Sequence, residues 1–138
     1  MIGHELFYST AKSALTKAGW LIVADPFKIR LPGLEKFDDP AALQTFAAVN
    51  GERQIAVTVT AFLGPSLLQD FHSATGRFLI YELALHTQAM PHELYLALPL
   101  DTYEQMFERK LVQLWIKGSG LKLMVFSVKN EEVKTWIN

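Results

Sequence analysis

The run TFAAVNGERQIAVTVTAF, residues 45–62, decides the fold. Asn50-Gly51 stands between two apolar, β-branched segments and offers the two φ > 0 positions that a type I′ hairpin turn requires, so the flanking segments are expected to pair antiparallel. The second strand alternates. Ile55, Val57, Val59 and Ala61 share one side, and Ala56, Thr58, Thr60 and Phe62 the other. Two hydroxyls therefore lie together on one face of the sheet.

Upstream, Leu6, Phe7, Thr10, Ala11, Ala14 and Leu15 recur at helical spacing, which predicts an amphipathic helix over 3–18 ended by Gly19. Residues 20–23 read as a short buried strand stopped by Asp25-Pro26, and residues 27–33 as an edge strand cut off by Pro32-Gly33. Residues 35–40, with three acids and a proline, are a loop. Downstream, Ser66 is placed to cap a helix running to about His86. Its apolar stripe (Leu67, Phe71, Ala74, Phe78, Leu85) is widened by Leu79, Ile80 and Leu83, so the helix is expected to be sandwiched. Gly76 in its middle suggests close approach by a neighbour. Residues 93–100 form a strand buried over Leu94 to Leu98. Asp101, with Glu104 as its capping-box partner, would start a helix carrying Met106, Phe107, Leu111, Leu114 and Trp115, ending at Gly118-Ser119-Gly120. Residues 121–128 and 133–137 are the last strands. One sheet with helices on its faces packs this order most economically, as a single α/β domain over residues 1–138.

A net charge of −1 and a pI near 6.4 leave no global basic excess to drive DNA binding, so any DNA contact is expected to be indirect or weak. Half of the residues are apolar, which points to surface covered by a second subunit, with the faces around Trp115 and Trp136 as candidates for a homodimer. The chain has no cysteine, no stretch of membrane-span length and no basic leader, and a cytoplasmic protein is expected.

The usual chemical motifs are missing. His4, His72, His86 and His92 never stand at helical metal-pair spacing, and no glycine-rich phosphate loop or nucleophile elbow occurs. Carboxylates remain, because phosphodiester cleavage gathers acids around Mg²⁺. Asp38-Asp39-Pro40 precedes the hairpin, but the neighbouring strand carries Thr58 and Thr60 where a second acid would be needed.

Ala14-Leu15 with Gly19-Trp20, Asp25-Pro26, Ile55-Ala56-Val57, Phe62-Leu63-Gly64, Phe71-His72 with Ala74 and Gly76, and Leu96-Ala97-Leu98 followed by Pro99 to Glu104 together resemble the XisH family. These are the fdxN-element excision controlling factors of cyanobacteria. The resemblance spans essentially the whole chain and implies a restriction-endonuclease-like, PD-(D/E)XK fold, with a mixed sheet flanked by helices. In that pattern an Asp matches Asp39, and a Glu-x-Lys pair falls at Thr58 and Thr60. A first-helix Glu falls at Ser9, and a Gln-x-x-x-Tyr matches Arg77 and Tyr81. Asp39 and Tyr81 are kept, and four of the six positions are lost.

The resemblance thus implies a vestigial pocket of Asp39, Thr58, Thr60, Arg77 and Tyr81, with no intact catalytic set. No cofactor is expected, and Asp39 is the one weak metal candidate. Arg77 is expected to pair with Asp39 or Asp70, with binding of a phosphate as the alternative. The implied role is a non-catalytic accessory factor for programmed site-specific DNA excision, working beside a site-specific recombinase complex and an XisI-like companion. Two alternatives stand beside it. One is a Mg²⁺-dependent endonuclease using migrated carboxylates such as Glu5, Asp39 and Glu82. The other is a DNA binder using Lys28, Arg30 and Lys36.

Overall fold

A computed structural model of the protein describes residues 2–138. Helix α1 (Ile2–Lys17) ends as its sequence dictates, with Gly19 at φ 95°. Strand β1 (Leu21–Ala24) follows, but as an edge strand with Leu21 and Val23 exposed rather than a buried one. It pairs with β2 (Thr45–Asn50) and so occupies the sheet edge that residues 27–33 were expected to take. Those residues form no strand. Phe27 N–H donates once to the Thr45 carbonyl, and the chain turns away at Gly33, φ 85°. A 3-10 turn, Pro40–Gln44, leads into β2.

β2 and β3 (Arg53–Val59) form the antiparallel hairpin, with Asn50 paired to Arg53. The central turn residues are therefore Gly51 and Glu52, of which only Gly51 has a positive φ (62°). Glycine alone at the first central position is the pattern of a type II′ turn, not the I′ turn that Asn50-Gly51 suggested. Side chains alternate as expected: Ile55, Val57 and Val59 enter one core, Ala56 and the later Phe62 the other.

Helix α2 (Leu67–Thr87) is capped by Ser66, whose hydroxyl accepts from the Gln69 N–H at 3.2 Å. It buries Ala74, Phe78, Tyr81 and Leu85, but nothing sandwiches it. Leu79, Ile80 and Leu83 are exposed, and a Cβ added at Gly76 would meet nothing within 4 Å among the described residues. Strand β4 (Glu93–Pro99) is buried on both faces. A single turn, α3 (Leu100–Thr102), and a π-helical turn, Tyr103–Phe107, follow it. Pro99 stands at the start of α3 and no side chain caps it, so Asp101 does not act as the cap expected of it.

The π turn and the extended Arg109 (ψ 144°) reset the helical phase before α4 (Lys110–Ser119). Val112 and Ile116 consequently face the core, while Leu111, Leu114 and Trp115 are exposed. Gly120, φ 74°, ends the helix, and β5 (Leu123–Ser127) and β6 (Glu132–Ile137) complete the sheet.

The six strands lie in the order β1-β2-β3-β4-β5-β6, with β3-β4 and β4-β5 parallel and the other pairs antiparallel. The two parallel joints need crossovers, which α2 and the α3–α4 segment supply. Their apolar faces meet Ala56, Leu94, Leu96, Leu98, Leu123 and Val125 on one side of the sheet. On the other side α1 lays Ala11, Ala14 and Leu15 against Phe46, Val57, Tyr95, Ala97 and Phe126. Covering both faces explains why the central strands lack polar alternation. Trp136 belongs to this second core, packed on Trp20 and Tyr95, and is not a free surface residue.

Candidate functional site

The candidate site forms where β3 runs out beneath α2. Thr58 is the penultimate residue of β3 and lies on the α2 side of the sheet, as its alternation with Val57 and Val59 requires. It is wholly buried, and its Oγ1 has no hydrogen-bond partner among the described residues. Thr60 follows on the same side, and its backbone N–H still bonds the Ala97 carbonyl at 3.0 Å. Its hydroxyl accepts from the Arg77 guanidinium at 2.5 Å. One helical turn further along α2, the Tyr81 hydroxyl donates to Asp39 Oδ2 at 2.5 Å. Asp39 stands at the start of the 3-10 turn and makes no side-chain cap there.

The five positions singled out from the sequence therefore meet on one side of the sheet, but not in the expected pairing. The described ion pairs are Lys12–Asp25, Arg30–Glu35 and Arg53–Glu93, and Arg77 joins none of them. Asp70 instead accepts the Gly64 N–H at 2.9 Å, and Asp39 is taken by Tyr81. The reason is reach and geometry: Thr60 lies directly under Arg77, and the loop carrying Asp39 meets α2 a turn later. Burial pushes the Tyr81 hydroxyl well above its ordinary value, and the Asp39 carboxylate beside it adds to the shift. Burial also pulls the Arg77 guanidinium below its ordinary range, which Tyr81 and Asp39 only partly offset.

The remaining candidates are scattered. Glu5 is exposed on the first turn of α1 and Glu82 is half-buried on α2. Among the described residues no three His, Asp or Glu side chains stand close enough to hold a metal ion, so Glu5, Asp39 and Glu82 do not form one site. Of the basic residues before the hairpin, Arg30 is paired with Glu35 at 3.0 Å and Lys36 sits 5.5 Å from the Phe37 ring centre. Lys28 and Arg30 line a cavity together with Glu35, Asp38 and Asp39, so their charge is balanced locally.

Two features escaped the sequence. Phe62 has φ 55°, an outlier for a bulky residue, held while its ring packs edge-on against Phe107 at 5.6 Å. No glycine marks this position. The second is a cavity of about 380 Å³ whose wall includes His4, Gln44, Thr60, Asp70, Ser73 and Arg77. Ser73 precedes Arg77 by one helical turn, and that spacing was the one signal available for it.

Fold and site define a small α/β protein that carries, at the end of a mixed sheet, an arginine–threonine pair beside a tyrosine–aspartate pair. The chain belongs to the XisH family, whose model, described as XisH protein, matches residues 1–134. Two solved structures are similar over almost their full lengths. One is an XisH family protein from Nostoc punctiforme, 34% identical with a TM-score of 0.86, covering 96% of this chain and 99% of its own. The other is an fdxN element excision controlling factor protein from Anabaena variabilis, 35% identical with a TM-score of 0.86, covering 97% of this chain and 99% of its own. No curated protein matches the sequence.

Proposed function

We propose that this chain is a non-catalytic controlling factor for programmed site-specific DNA excision, acting through contacts with other proteins on a degenerate nuclease-like scaffold. The observation that carries this is at the end of β3. Thr58 and Thr60 stand where the nuclease-like pattern has a Glu and a Lys, and Thr60 is engaged by Arg77 while Asp39 is engaged by Tyr81. A phosphodiesterase of that kind needs a charged ligand for its metal and a cation to position the attacking water. Two threonines supply neither. The excision role is carried over from the name of the Anabaena variabilis relative.

A net charge of −1 disfavours stand-alone DNA binding, so the route to DNA runs through an XisI-like companion and the recombinase complex. The outward Leu79, Ile80 and Leu83 of α2 and Leu111, Leu114 and Trp115 of α4 provide apolar surface for protein contacts, a second copy among them. No helix among the described residues is long and apolar enough to cross a membrane.

Asp39→Asn tests the proposal in an excision reporter strain lacking its own factor. Asparagine keeps an acceptor for Tyr81 and removes the charge a metal would need. Excision at the wild-type level is expected. Loss of excision with the variant folded and abundant would overturn the non-catalytic role.

A further inference from the structure

Arg77 is a cation with no carboxylate in direct contact: Asp39, a helical turn away and held by Tyr81, offsets the burial of its guanidinium only in part. Its guanidinium has five N–H donors in a rigid fork. One nitrogen donates to the Thr60 hydroxyl, and Nε is enclosed with no partner among the described residues. No carboxylate lies within ion-pair distance of it among the described pairs. A half-buried cation left in this state costs a fold stability, because its desolvation is only partly repaid by an acid that it does not touch. The fork faces the cavity of about 380 Å³ at the end of β3, a volume within the range of small-ligand pockets.

The rest of that wall is built for the same task. His4, Gln44 and Ser73 bring side chains that can donate hydrogen bonds, from α1, the 3-10 turn and α2 respectively. The segment after β3 is bent round the cavity by Phe62 at φ 55°, a conformation that such a residue holds only when its surroundings enforce it. Leu63, on the same wall, packs so closely on Gly3 that a Cβ there would lie 2.4 Å from its Cδ1. The absent side chain at Gly3 lets Leu63 come close to the first turn of α1, beside His4 on the same wall. Asp70 is the one acid on this wall, with Oδ2 occupied by the Gly64 N–H.

We infer that the Arg77 cavity is an oxyanion site that takes a phosphate group, with the guanidinium as its charged anchor and Ser73, Gln44 and His4 as donors around it. Arginine forks match phosphate oxygens in pairs, and the missing negative charge is the one the phosphate supplies. Asp70 limits the affinity by like-charge repulsion. The site shares Thr60 and Arg77 with the degenerate pocket, but phosphate binding there can be measured without reference to excision.

Calorimetric titration with inorganic phosphate, thymidine 5′-monophosphate and thymidine tests it, on the wild type, Arg77→Gln and Asp70→Asn. Glutamine keeps a donor for Thr60 and removes the charge. Saturable binding of phosphate is expected, weakened at least tenfold in Arg77→Gln and tightened severalfold in Asp70→Asn. Arg77→Gln should also raise the urea midpoint of the unliganded protein, since it removes a half-buried charge that Asp39 offsets only in part. Tighter binding of the nucleotide than of inorganic phosphate would identify a nucleotide or polynucleotide end as the source, and equal binding a free anion. No saturable heat with either phosphate compound, unchanged affinity in Arg77→Gln, or thymidine binding as well as its monophosphate would overturn the assignment.

Discussion

Replacing Thr58 by valine should make this protein more stable. The side chain is wholly buried, and its hydroxyl has no partner among the described residues. An unpaired buried hydroxyl costs about 1–3 kcal/mol relative to one left in water. Valine has nearly the same shape, so no cavity opens, and as a β-branched residue it suits a central strand that pairs with both β2 and β4. Removing the hydroxyl should therefore stabilise the fold by about 1 kcal/mol. With a urea m-value of about 1–3 kcal/mol/M, the midpoint should rise by roughly 0.3–1 M at unchanged slope. Urea titration followed by far-UV circular dichroism measures it. A fall in the midpoint would refute the reasoning, because it would mean that the hydroxyl is held by a partner and that Thr58 belongs to a working polar site.

Gly76→Ala should stabilise α2 by about 0.5–1 kcal/mol, since glycine is costly inside a helix and the added Cβ meets nothing within 4 Å. Gly3→Ala should gain less, because the exposed Leu63 must first swing its Cδ1 away from a 2.4 Å approach, and a larger rise in melting temperature for Gly3→Ala than for Gly76→Ala would contradict this packing. Acid stability should depend on Asp25. Burial would raise its carboxyl, but hydrogen bonds from Lys12 and Tyr8 and the Lys12 charge hold it below its ordinary value. Its contribution is thus complete above about pH 4 and is lost as pH falls through the lower folded value. Asp25→Asn should flatten that limb of an acid titration, at a neutral-pH cost below about 1 kcal/mol for so exposed a pair. Burial lowers the His92 imidazole, which packs against the Phe27 ring at 4.7 Å with the two planes tilted by 36°. Stability should therefore decline as pH falls below about 6.5, and His92→Phe should remove that decline in urea midpoints measured on either side of it.

The parts of the fold legible in the sequence are those set by local chemistry. The hairpin follows from a turn between β-branched runs, α2 from Ser66 and a helical apolar stripe, and β4 from an unbroken apolar run. What was hidden depends on partners distant in the chain. Residues 27–33 look like an edge strand, but β1 had already filled that edge. The phase of α4 was hidden because a π turn, which no residue type announces, turns Val112 and Ile116 inward and leaves Leu111, Leu114 and Trp115 exposed. At the site, the positions of Asp39, Thr58, Thr60, Arg77 and Tyr81 could be named in advance, but their bonding could not. Whether Arg77 meets an acid or a hydroxyl depends on which neighbour the sheet end brings beneath it.

The most direct test of the non-catalytic scaffold is Mn²⁺ titration of the purified protein by calorimetry, with Asp39→Ala as control. A scaffold with threonines at both critical positions, Thr58 in β3 and Thr60 just beyond it, should give no saturable heat, in the wild type as in the variant. Binding at about 1 μM, near −8 kcal/mol, that disappears in Asp39→Ala would reveal a working metal site and contradict the proposed role.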